Sequence, residues 1–155
     1  MAPGKKHLNS LRKRIQDLLN ADRSHMYWEL GHFQAPMFIQ EHGGTPTKPY
    51  FLACIDTASL AIMGSDLLQD TPSPQDLLSL LIASMGKPLT GSGVPILPES
   101  IRLDDFATFE LIEGELGQLG VKVELVKRLS ALPEFKKIIE REWFSQQVGY
   151  SGREN

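Results

Sequence analysis

The sequence predicts an α/β domain: a mixed sheet, with an antiparallel hairpin and parallel strands, covered by helices and preceded by an N-terminal amphipathic helix. Three observations carry that prediction. Apolar residues recur at helical spacing in four separate segments, a continuous apolar run in the first half has the length of a buried strand, and short strand-like segments interleave with helices in the second half. Strands that alternate with helices imply right-handed crossovers and parallel neighbours, whereas a hairpin is antiparallel.

Leu8, Leu11, Ile15, Leu18 and Leu19 recur at steps of three and four, so they share one stripe of a helix that starts near Lys6 and frays around Asn20. Met1 to Lys5 are expected to be disordered, and Asp22 to His25 to form a flexible joint. Met26 to Ile39 is aromatic, with Tyr27, Trp28, Phe33, Met37 and Phe38 around Pro36, and reads as a strand broken at the proline. Glu41 to Pro49 carries the glycines and prolines of an exposed loop. Tyr50 to Ile55 with Asp56 at its end, then Leu60 to Leu68, reads as a hairpin with a buried first strand.

Ser73, Pro74 and Asp76 have the form of an N-cap, a proline in the first turn and an acidic N3 residue, opening a helix that Gly86 and Pro88 end. Thr90 to Pro95 is a loop, Ile101 and Leu103 mark a short strand, and Asp104 or Asp105 caps a helix through Phe106, Phe109, Ile112, Leu116 and Leu119 that closes at Gly120. Val121, Val123 and Leu125 alternate with Lys122 and Glu124 as in a strand, and Leu132-Pro133 opens the last helix through Phe135, Ile138, Ile139 and Trp143. The expected organisation is a basic arm over residues 1–25, one domain over 26–148 and a disordered tail over 149–155.

The chain has 155 residues, 41% hydrophobic and 23% charged, enough for one core and inconsistent with a disordered or low-complexity chain. One cysteine, Cys54, allows no internal disulfide and no multi-thiolate zinc site, which fits a reducing, cytoplasmic setting. No run of about 18 apolar residues is present to span a bilayer, and no apolar run near the start resembles a signal peptide, so a soluble protein is expected. The formal charge of -3 is unevenly spread: in residues 1–25 Lys5, Lys6, Arg12, Lys13, Arg14 and Arg23 oppose Asp17 and Asp22, a net +4 that leaves -7 for the rest. Such an arm either has its own partner or docks on the acidic body.

The segments Lys48-Pro-Tyr-Phe-Leu-Ala-Cys-Ile-Asp56, Ser73-Pro-Gln-Asp-Leu-Leu, Pro98-Glu-Ser-Ile-Arg-Leu-Asp104, Leu119-Gly-Val-Lys-Val-Glu-Leu-Val126 and Arg128-Leu-Ser-Ala-Leu-Pro133 resemble an uncharacterised bacterial domain family, a domain of unknown function. The shared motifs are structural, and the resemblance implies no activity. The order of elements also resembles a reduced ribonuclease-H-like fold, with Asp56 ending the first strand of the hairpin and Asp104 ending a later strand. A full fold of that kind has three antiparallel strands before its first helix, and here only the segment near Trp28 is able to supply another.

Asp56 and Asp104 are the candidate pair for two-metal phosphodiester chemistry, which needs several carboxylates around ions roughly 4 Å apart. Against that, Asp56 lies where a hairpin turn begins, Asp104 or Asp105 is where a cap belongs, and spacing selects no third carboxylate. Gly86-Lys87-Pro88 follows a helix and lacks the Ser/Thr of a phosphate loop, and Gly91-Ser92-Gly93 lacks the third glycine of a dinucleotide fingerprint. His25, His32 and His42 with Cys54 match no zinc spacing, and Ser92 has no hydrolase turn around it. No metal and no cofactor is therefore expected.

The basic helix remains: Arg12, Lys13 and Arg14 suit phosphates of nucleic acid or lipid, its leucines suit the body or a protein partner, and its charges also suit plain solvation. The sequence favours a non-enzymatic protein-interaction module that binds through Leu8, Leu11, Ile15 and Leu18 of the helix or through the Trp28 region. The alternative is a nucleic-acid-binding or metal-dependent nucleic-acid-processing protein with a ribonuclease-H-like body, catalytic at Asp56 and Asp104.

Overall fold

The computed structural model describes residues 5–36, 38 and 42–154, with side chains described between His7 and Glu142. Residues 1–4, expected to be disordered, lie outside the described residues. In chain order the elements are α1 (Lys5–Asp17), β1 (Asp22–Arg23), β2 (Tyr27–Gln34), β3 (Tyr50–Asp56), β4 (Ile62–Leu68), α2 (Pro74–Gly86), β5 (Ile96–Leu97), β6 (Ser100–Leu103), α3 (Phe106–Leu116), β7 (Lys122–Leu125) and α4 (Ala131–Glu154). Five strands form one mixed sheet in the order β4-β3-β2-β6-β7, and β1 and β5 form a two-stranded parallel ladder. The expected α/β class, with hairpin, parallel strands and covering helices, is the one observed.

The central strand is β2. It pairs antiparallel with β3 from Trp28 opposite Asp56 to Gln34 opposite Tyr50, and parallel with β6 from Tyr27 opposite Ser100 to Glu29 opposite Arg102. Parallel pairing continues from β6 to β7, ending with Leu103 opposite Leu125. Alternation divides β2 and β3 between two cores, since successive side chains point to opposite faces. Trp28, Leu30, Leu52 and Cys54 face the larger core shared with α1, α2 and α3, while Ala53 and Ile55 face a smaller one shared with Leu129, Leu132 and Phe135. That double burial is why Phe51 to Ile55 reads as an unbroken apolar run. Arg102 bridges to Glu124 at 3.1 Å and Lys122 to the same carboxylate at 2.9 Å, joining β6 and β7 on the sheet's charged edge.

The caps follow the sequence closely. Ser73 Oγ accepts from Asp76 N–H at 3.2 Å and Asp76 Oδ2 accepts from Ser73 N–H at 2.8 Å, a reciprocal capping box with Pro74 in the first turn. Asp105, not Asp104, caps α3, accepting from the N–H and hydroxyl of Thr108. The α-helix stops at Leu116, and one turn of 3-10 helix carries the chain to Leu119 before Gly120 takes the left-handed conformation, φ 71°.

Four expectations are corrected. Leu11, Ile15 and Leu18 are 1%, 1% and 3% exposed and Trp28 is 0% exposed, so these residues belong to the core and offer no partner surface; Leu8 is half-buried. The physical reason is that α1 is too short to hold its helix unaided and gains roughly 1.5 to 3 kcal/mol for each large side chain it buries on the body. The arm is therefore continuous with the domain, and Arg12 pairs with Glu115 of α3 at 2.8 Å, cation of the arm on carboxylate of the body. Asp22 and Arg23 are not a joint but a strand, paired with Ile96 and Leu97. Finally, α4 runs as helix to Glu154, through most of the expected tail, because no proline or paired glycine stops it.

Candidate functional site

Asp56 and Asp104 are not brought together. Asp56 is 6% exposed, and its Oδ2 accepts from Ser59 N–H at 3.1 Å and Ser59 Oγ–H at 2.6 Å, which fixes the β3–β4 turn. Asp104 directly follows β6. With Asp56 opposite Trp28, and Asp104 two residues beyond Arg102, which faces Glu29, the two α-carbons stand two strands and three residues apart, roughly 14 Å by ordinary sheet spacing. Among the described residues no three His, Cys, Asp or Glu side chains converge as metal ligands. Cys54 lies wholly within the core, where burial pushes its thiol well above the ordinary range despite a hydrogen bond with Ser84.

What the fold does assemble is a cleft of about 360 Å³ lined by His32, Phe33, Asp104, Lys127, Arg128, Leu129, Leu132, Pro133 and Lys136. It opens at the carboxyl ends of β2 and β6. From β2 the chain proceeds to β3 and β4 on one side, and the later strands β6 and β7 lie on the other. Connections that leave in opposite directions open a crevice at this place in an α/β sheet. The floor is apolar. Gly31 makes it so: a Cβ there would stand 2.7 Å from Leu132 Cδ2 and 3.0 Å from Leu129 Cδ1, so glycine lets both leucines lie flat on β2.

The rim is cationic. Lys127 and Arg128 are exposed and, among the described residues, form no ion pair or hydrogen bond; Lys136 Nζ lies 5.8 Å from the centre of the Phe33 ring. His32 is exposed beside them. Asp104 is the one lining carboxylate. Asp105, its neighbour, sits below the usual carboxyl range, chiefly because the Thr108 hydroxyl and then its N–H donate to the charged form. Phe106 and Leu125, 60% and 43% exposed, add apolar surface at the same end of the sheet. A second cavity, about 310 Å³, lies at the opposite end, lined mainly by Met26, Met63, Val94, Ile96 and their neighbours, and Asp22 is its one charged group.

Glu29 holds the cleft's geometry. This residue of β2 is 1% exposed, and its carboxylate takes four donors from the start of α4: Ser130 N–H and Oγ–H at 3.0 and 2.9 Å on Oε2, and the N–H groups of Ala131 and Leu132 at 2.8 and 2.9 Å on Oε1. The positive end of a helix meets a buried anion, which satisfies both. Sequence reasoning missed Glu29 and the cleft's cations. One signal was legible: a glutamate flanked by Trp28 and Leu30 in a strand lies on the opposite face from them, and that face also had to be covered.

Fold and cleft together define a mixed α/β domain that presents a cationic, apolar-floored cleft where its strand order reverses. The chain belongs to the family described as a domain of unknown function, DUF6930, whose model matches residues 14–140. No curated protein matches it. Among solved structures, it is similar at 15% identity and TM-score 0.44 to a chain of the cryo-EM structure of the simian T-cell lymphotropic virus intasome in complex with PP2A regulatory subunit B56 gamma. That match covers 79% of this chain and 40% of the other.

Proposed function

We propose that the chain is a non-enzymatic interaction module that binds a protein partner in the cleft between β2, β6 and α4. The observation that carries this reading is a group of exposed cations that, among the described residues, form no ion pair, Lys127 and Arg128, with Lys136 beside them, around Phe33 and Pro133 and the largely buried Leu129 and Leu132. Unpaired cations gathered on a body of net negative charge are poised for an outside anion, and an apolar floor adds area that a free ion would not use. The stripe of α1, being core, is no part of the interface in this proposal. The module is assigned to the cytoplasm; its support is the single cysteine, and no helix among the described residues is long and apolar enough to cross a membrane.

A second reading, a nucleic-acid-binding protein on a ribonuclease-H-like body, is favoured by one observation: three antiparallel strands, β2 to β4, precede α2, as such a body requires. A photo-crosslinking side chain placed in the full-length chain instead of Pro133 separates the two readings. The expected result is a discrete protein adduct that disappears when Lys127→Glu and Arg128→Glu are introduced. A nuclease-sensitive adduct overturns the protein reading in favour of the second.

A further inference from the structure

We infer that Asp104 is a specificity residue of this cleft, one that admits an acidic peptide segment with an apolar side chain and turns away continuous polyanions. The inference rests on the binding-module reading of the same site. Asp104 has no structural employment among the described residues: it is exposed and forms no hydrogen bond or ion pair, and the cap of α3 is Asp105. Its position is nonetheless determined. Leu103 lies opposite Leu125, and Val126 N–H donates to Leu103 C=O at 2.9 Å, so the chain runs from there into Lys127 and Arg128 alongside Asp104 on one lip of the cleft.

A carboxylate set into a cationic rim acts on ligands according to how their charge is spaced. A nucleic-acid backbone carries a phosphate at every step, so a strand laid across the cleft brings one of them against Asp104 while others meet the lysines. A peptide places its carboxylates singly, so one meets Lys127 and Arg128 and another Lys136, while its apolar side chain rests against Phe33 and Pro133, the apolar lining residues that are not buried. Charge complementarity thus selects the peptide. Asp104 costs it little binding, and the cost is larger for a polyanion.

The test uses the ¹⁵N-labelled full chain titrated with three probes: an end-capped peptide with leucines between aspartate and glutamate, its counterpart with asparagine and glutamine, and a single-stranded oligothymidylate. The acidic peptide is expected to shift the amides of His32, Leu129 and Lys136 and to bind more tightly than the other two. Asp104→Asn, at a site without a structural bond, is expected to leave the fold unchanged, to tighten the acidic peptide roughly two- to fivefold, as for loss of one exposed charge contact, to tighten the oligonucleotide more, and to leave the amide peptide unchanged. Equal binding of the amide peptide in the cleft overturns the inference while leaving the binding module standing. An oligonucleotide that binds the unmodified chain best overturns the inference and favours the second reading, and no shift at the cleft with any probe removes inference and module together.

Discussion

Side by side in the chain, Asp104 and Asp105 show how one residue separates a structural carboxylate from an available one. Asp105 takes two donors from Thr108, and its replacement by alanine is expected to cost about 1 kcal/mol. Asp104→Ala is expected to change stability by less than about 0.5 kcal/mol, as at other exposed sites without bonds. Urea unfolding of the two variants checks the contrast. The same carboxyl makes an acid prediction. Asp105 is held low chiefly by the Thr108 hydroxyl, and Glu115 chiefly by the Arg12 guanidinium. A lowered carboxyl stabilises the fold fully above its unfolded value, about 3.9 for Asp and 4.3 for Glu, and that stabilisation is lost as pH falls through the folded value. The thermal midpoint should therefore fall on acidification below about pH 4, and fall less in Asp105→Asn; an equally steep fall in the variant would locate the acid response at other groups. Glu29 is the largest single-residue case. Glu29→Ala leaves the Ala131 and Leu132 N–H groups buried without acceptors, and a loss of roughly 3 to 5 kcal/mol is expected in the same unfolding measurement.

At the scale of elements, the fit of helices to the sheet depends on small residues at close approaches. On β4, a Cβ added to Gly64 would stand 2.0 Å from Ser84 Oγ, whose hydrogen is already given to Leu80 C=O at 2.7 Å. Gly64→Ala is therefore expected to push α2 off the sheet at a cost of about 1 to 3 kcal/mol. Thermal unfolding tests it, and an unchanged midpoint would mean that α2 yields without strain. Deep in the larger core, Leu81 of α2 and Ile112 of α3 are both 0% exposed, and Leu11 of α1 is 1% exposed. Each reduced to alanine should cost roughly 2 to 5 kcal/mol. The Leu11 result matters most, since a helix that merely waited for a partner would lose nothing in the isolated chain.

Across the whole molecule, the division of charge read from the sequence resolves into two different arrangements. On the basic helix Arg12 is neutralised in place by Glu115, and the neutral Gln16 donates to Gln118, so one of its charges serves attachment to the body. Lys13 and Arg14 stay exposed on that helix, and a second group of exposed cations, Lys127 and Arg128, lies near the start of α4, where a cleft accompanies it. Binding of an acidic peptide there should weaken only modestly between 50 and 200 mM salt, roughly the screening of two or three contacts, because the apolar floor contributes a share that salt does not reduce. Calorimetric titration at the two concentrations measures this. A loss of about a thousandfold or more would instead be the counterion-release behaviour of phosphate binding.

By itself the sequence determined what depends on local spacing and chemistry. The capping box at Ser73 and Asp76, the left-handed stop at Gly120, the hairpin strand Tyr50–Asp56 and the α/β class all follow from residues within one or two turns of each other. Burial of the α1 stripe was legible as a need for some surface, because an apolar stripe on a short helix has to be covered. Which surface covers it is a tertiary matter: solvent-shy leucines look alike whether they meet the same chain or another. The cleft was hidden for a related reason. Its lining comes from β2, the end of β6, the loop after β7 and α4, segments separated by up to about a hundred residues, and no local pattern marks their meeting. Only the strand order, with β6 returning to the open side of β2, brings Asp104, Lys127 and Arg128 beside His32 and seats the start of α4 on Glu29.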